Sequence, residues 1–135
     1  MIYMEENRAF IKQAALTFFD KRPEMYDLYE SLESAITESY PSVNIKAQKT
    51  QITFSNRRVF ACVSFMRPLK KFELPPSYFV LTLGLSYPLD SARAAVKTEP
   101  YPGRWTTHIV ISSQDDLNDE LYDWIRQAYE FAENK

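Results

Sequence analysis

Two periods divide this chain. From residue 43 to 65 apolar positions recur every second residue. Val43, Ile45 and Ala47 alternate with Asn44, Lys46 and Gln48. Ile52 and Phe54 alternate with Gln51, Thr53 and Ser55, and Val59, Ala61, Val63 and Phe65 with Phe60, Cys62 and Ser64. A period of two marks strands with one dry face. The short breaks at 48–50 and at "SNRR" predict tight turns, hence an antiparallel meander. Residues 78–87 read as the longest strand, with Phe79, Leu81, Leu83, Leu85 and Tyr87 on one face and Tyr78, Val80, Thr82, Gly84 and Ser86 on the other. Trp105, Thr107, Ile109 and Ile111 likewise alternate with Thr106, His108, Val110 and Ser112.

Helical spacing governs both ends. Residues 5–19 read as a helix with Phe10, Ala14, Thr17 and Phe18 near one side. Pro23 suits the first turn of a second helix, because its missing N–H has no partner to lose there. Met25, Leu28, Tyr29, Leu32 and Ile36 stripe that helix, and Tyr40-Pro41 ends it. Ser113 followed by Asp116 reads as a capping box for a last helix striped by Leu117, Leu121, Trp124, Ala128 and Tyr129. Residues 88–104 show no clear period: "LDSARAAV" reads as a short helix and "TEPYPG" as a loop.

The predicted order is α-α-β-β-β-link-β-link-β-α. Segregated helices and strands imply an α+β fold of two layers, an antiparallel sheet of about five strands with helices packed on one face. One domain spans residues 1–135. The face away from the helices should carry Lys46, Gln51, Thr53, Ser64, Thr82, Thr106 and His108, with the rings of Phe60 and Tyr78 among them.

Charge sharpens this picture. The net charge is only −2, which argues against a generic polyanion binder. Yet residues 41–75 hold seven cations against one acid, while both flanks are acidic. The stretch "KAQKTQITFSNRRVFACVSF" carries four cations and no acid. Lys46, Lys49, Arg57 and Arg58 would neutralise phosphate there, and Phe60 would stack on a base. The competing reading is a merely solvated sheet face, which antiparallel sheets commonly show.

A second constellation joins Gln51, Arg104 and His108 into a small-molecule pocket, with Arg104 holding an anion and His108, the single histidine, available as a base. No nucleophile or carboxylate can be assigned to His108 from spacing. No catalytic residue, metal set or cofactor motif is found, so the sequence leans away from an enzyme without excluding one. Cys62 is alone, which fits a reducing compartment. With no signal-peptide pattern and no apolar run long enough for a membrane span, the expectation is a cytoplasmic protein without a membrane partner.

"KTEPYPGRWTTHIVISSQDDLNDELYDWIRQAYEFA", "KTQITFSNRRVFACV" and "TFFDKRPEMYDLYESLESAI" resemble the C-terminal signature, the central strands and the leading helix of the family catalogued as domain of unknown function 5655. The resemblance spans about residues 17–132 and rests on Pro102-Gly103-Arg104-Trp105, His108 and Trp124. Members often carry two adjacent histidines after the tryptophan; here Thr107 stands at the first and His108 at the second. The resemblance implies an uncharacterised protein. The element order is also similar to small YjbR-like α+β domains, for which DNA binding has been suggested. Three functions are therefore expected in turn: a domain binding nucleic acid or another anionic ligand, a pocket around Arg104 and His108, and an interaction module or homodimer meeting through Phe60, Tyr78 and Val110.

Overall fold

The computed structural model describes residues 2–134, with side chains from Arg8 onward. Helix α1 covers Ile2–Phe18 and α2 covers Tyr26–Ser39, with two 3-10 turns between them that accommodate Pro23. Six strands follow: β1 Asn44–Ala47, β2 Gln51–Ser55, β3 Val59–Ser64, β4 Phe79–Leu85, β5 Ala94–Tyr101 and β6 Arg104–Ile111. Helix α3, Asp119–Asn134, closes the chain. The sheet is antiparallel throughout, in the order β1-β2-β3-β4-β6-β5.

The α+β reading holds, with one strand more than expected. Residues 94–101, read as part of a short helix and a loop, form the edge strand β5. An edge strand pairs on one side only, and this one is half-buried and then exposed along its length. It therefore lacks the alternation that marks interior strands, and its Pro100 reads as a breaker. The β5–β6 turn needs Gly103, whose φ of +82° is the left-handed region that glycine enters without a Cβ clash. Glu99 secures that turn by accepting the Gly103 N–H.

All three helices lie on one face. Helix α3 packs across β3 and β4, and α1 across β1 and β2. Between them Tyr29 of α2 packs its ring against Phe19, Phe54 and Phe79. Ile52, Val63, Leu81, Leu83, Ile109 and Ile111 meet the helices from the sheet, each fully shielded from water. Transfer of such side chains out of water stabilises the fold by roughly 1.5–3 kcal/mol apiece. Ile45, Ala47 and Phe65 pack at the margin of this core.

Two local readings are corrected. On α1 the buried side runs through Ala15 and Phe18, while Phe10 is 73% exposed and Thr17 also faces water. The Ser113–Asp116 box exists, but it closes a 3-10 turn: Asp116 accepts the Ser112 and Ser113 N–H groups. Helix α3 is instead capped by Asn118, whose side-chain oxygen accepts the Leu121 N–H. No helix among the described residues is long and apolar enough to cross a membrane.

Candidate functional site

The face of the sheet turned away from the helices is built by strand parity. Direct cross-strand pairing lines up Lys46, Thr53, Cys62, Thr82, His108 and Val96 in one row spanning all six strands. Lys46 is exposed and the next four residues of the row are half-buried. Gln51, Ser64, Thr106 and Arg104 stand on the same face in neighbouring rows. Strands β1 to β4 and β6 contain no Asp or Glu at all.

Part of this face is roofed. Val80 is completely buried although it points away from the helices. The connection from β3 to β4 crosses beside it: Leu69, Leu74 and Pro75 line a 220 Å³ hollow with Val110, which pairs with Val80, and with Ala95, while Glu73, Arg93 and Asp116 supply its charged lining. This connection carries Arg67, Lys70, Lys71 and Phe72, all exposed, with the Phe72 ring 82% accessible. The Lys70 ammonium lies 5.9 Å from the centre of that ring. The turn holding Lys49 is at the same end, because Gln51 is paired with Ser64 just before the connection departs.

Arg104 has an unusual seat. A Cβ on Gly84 would fall 2.9 Å from its Nη2 and 3.0 Å from its Cζ, so the guanidinium occupies the space a side chain would take. Gly84 is thus required for this close approach. Arg104 is half-buried, and no acid or carbonyl among the described residues pairs with it. Its head lies one pleat from Thr82, roughly 7 Å along β4. There Thr82 Oγ1 and His108 Nδ1 are 2.8 Å apart, the hydroxyl donating or accepting according to the tautomer. Burial lowers the His108 pKa below its ordinary value, so the ring is neutral at pH 7.

Cys62 donates its thiol to Gln51 Oε1 at 3.3 Å, and burial pushes its pKa up to about 11. A thiol so held is a poor nucleophile. Among the described residues no cluster of three or more His, Cys, Asp or Glu could hold a metal.

The structure separates several residues that the sequence grouped. Lys49 and the Arg57-Arg58 pair lie at opposite ends of β2, because successive hairpins turn at opposite ends of the strand they share. Arg57 donates to the Glu133 carbonyl at 3.3 Å and Asn56 to the Tyr129 carbonyl at 2.9 Å. That turn therefore docks on the C-terminal end of α3, where cations and donors satisfy free carbonyls.

Phe60 is not on the open face. The register shifts at Phe54/Ser55, leaving Phe60 as an extra residue on β3. A bulge of this kind reverses side-chain parity beyond it. Val59 becomes 43% exposed while Phe60, 1% exposed, packs edge-on against Tyr129 and Tyr40. Tyr78 is also buried, its ring 4.5 Å from the Arg22 guanidinium. With Val110 half-buried beside the connection, the three residues expected to mediate self-association do not form an exposed apolar surface.

Gln51 stands three strands from His108, about 14 Å across the sheet. Arg104 and His108 remain neighbours; Gln51 is engaged elsewhere by Cys62. Thr107 faces the helices and is fully buried, so a residue at that position cannot share a site with His108. Sequence reasoning passed over Arg67, Lys70, Lys71 and Phe72, although the charge count of residues 41–75 already contained three of them.

Comparison with known proteins adds one relationship. The family model described as Domain of unknown function (DUF5655) matches residues 15–132. No curated protein and no solved structure matches the chain.

Proposed function

The chain belongs to the DUF5655 family, whose description names no activity, and from that premise we propose that it is a binding domain whose open sheet face holds a phosphate-bearing partner, a single-stranded nucleic acid. The observation that carries this reading is the guanidinium of Arg104, half-buried on Gly84 without an acidic partner among the described residues, on a face whose five contiguous strands bear no carboxylate. A half-buried guanidinium with no counter-ion among the described residues has a planar set of donors free to hold a phosphate or carboxylate in two parallel hydrogen bonds. Lys46 on the face and Lys70 and Lys71 on its rim add positive charge within reach of a strand of phosphates. Phe72 offers an exposed ring on which a base stacks, the role expected of Phe60.

The test is fluorescence anisotropy with a single-stranded oligonucleotide at increasing salt. Four contacting cations give a log–log slope of about −3, at roughly −0.7 per phosphate on a single strand. The double variant Lys70→Gln/Lys71→Gln flattens that slope by about 1.4. Absence of binding at low salt, or binding indifferent to salt, refutes the nucleic-acid reading.

A second reading, a small phosphate- or carboxylate-bearing molecule, is favoured by the proximity of Arg104 to the Thr82–His108 pair. Binding of a mononucleotide as tight as that of the oligonucleotide selects it. The cytoplasmic setting proposed from Cys62 belongs with either reading.

A further inference from the structure

On the opposite side of the molecule α1, α2 and β1 enclose a cleft of about 580 Å³, within the range of small-molecule sites. Its walls differ in charge. Arg8 and Lys12 come from α1, and Glu30, Glu33 and Glu38 from α2, where the three-residue spacing of the first two places them on one side of the helix. Among the described residues no ion pair joins the two walls. The floor between them is aliphatic, made by Ile11, Val43 and Ile45.

A separate feature marks the acidic wall. Tyr29 is completely buried, and its hydroxyl ends beside Glu33 without forming a hydrogen bond of good geometry. Glu33 is itself partly buried, which raises its pKa; the Tyr29 hydroxyl opposes that rise and Glu30 adds to it. Tyr26 donates to Glu30 at 3.3 Å and holds that carboxylate in place. A cation delivered to this wall would meet three carboxylates, those of Glu30, Glu33 and Glu38, with Glu33 partly desolvated. An anionic group on the same molecule would meet Arg8 and Lys12.

We propose that this cleft binds a zwitterionic small molecule with an aliphatic body, an α-amino acid or a dipeptide, its ammonium on Glu30 and Glu33 and its carboxylate on Arg8 and Lys12. The site is independent of the open sheet face, so its occupant and the partner of Arg104 bind without competing.

The experiment is calorimetric titration of the full chain with L-leucine, leucyl-leucine, leucinamide and N-acetyl-leucine. The last two each lack one of the charges. The expected result is that at least one zwitterion binds, with leucinamide and N-acetyl-leucine weaker by about tenfold or more. The better of leucine and leucyl-leucine identifies the length of the occupant. Glu33→Gln and Lys12→Gln each weaken the zwitterion by roughly tenfold, while Arg104→Gln leaves it unchanged. Lys12 is exposed, so its variant tests the other charged wall without disturbing the packing around Glu33. Equal binding of all four compounds, indifference to Lys12→Gln, or no heat at millimolar concentration overturns the proposal.

Discussion

The two faces of this one sheet obey different physics. Toward the helices lie Ile52, Val63, Leu81, Leu83, Ile109 and Ile111, all dry. On the far side, Lys46, Thr53, Cys62, Thr82 and His108 form a polar row in partial contact with water. The contrast is made by residues next to each other in the chain, since successive side chains of a strand point in opposite directions. The dry face gives stability. The polar face contributes little to it and is free to carry chemistry.

The sharpest test uses two neighbours on β4. Leu81→Ala leaves a cavity among fully buried side chains and is expected to cost about 2–5 kcal/mol in urea unfolding. Thr82→Ala removes a partly exposed hydroxyl from His108 and should cost only about 0.5–1.5 kcal/mol. Similar losses would mean that the two faces are not distinct layers.

Arg104 gives the next test. Arg104→Gln should weaken anion binding by about 1.5–3 kcal/mol, the worth of a charged hydrogen bond, with the melting temperature little changed. Gly84→Ala should reproduce that loss without touching a charge, because the new methyl meets only the mobile tip of the arginine. Anisotropy and thermal melting on both variants check this. Retained affinity in Gly84→Ala would show that the seat on β4 is irrelevant. Phe72→Ala should follow, weakening oligonucleotide binding by about 1–3 kcal/mol and leaving mononucleotide binding and stability intact.

The smallest effects are those of pH. The folded His108 binds its proton less readily than an unfolded histidine does, because burial penalises the charged ring. Its contribution to stability is therefore complete above about pH 6.5, the unfolded value, and is lost as pH falls through the lower folded value. His108→Gln should flatten that part of the stability curve measured by urea unfolding. Glu33 works in the reverse sense. Its raised pKa gives stability at low pH that is lost as pH rises through the folded value, so Glu33→Gln should be the more stable protein at pH 7.

Interior strands were the most legible part. Alternation placed β2, β4 and β6 and assigned Gln51, Thr82 and His108 to one face, because burial on one side imposes the pattern directly. The misplacements have separate causes. Phe60 obeyed the period of two until a single inserted residue reversed it, and nothing local in "NRRVFA" announces a bulge. Strand β5 escaped because an edge strand need not alternate. Arg57 and Lys49 lie close in sequence, yet the length of β2 separates them. The cation that matters most to the proposed function, Arg104, was marked by the sequence, whereas its seat was not.

The sequence by itself determined the class of the fold, the direction in which β2, β4 and β6 face and the positive character of residues 41–75, because each depends on neighbours a few positions apart. Only the tertiary structure decided where that charge gathers, which aromatic ring remains in water and that Gly84 makes room for Arg104. Those outcomes depend on strand order, register and the path of a connection, which bring together residues 20 or more positions apart. Local pattern fixes the face on which a side chain stands; pairing between distant segments fixes its companions there.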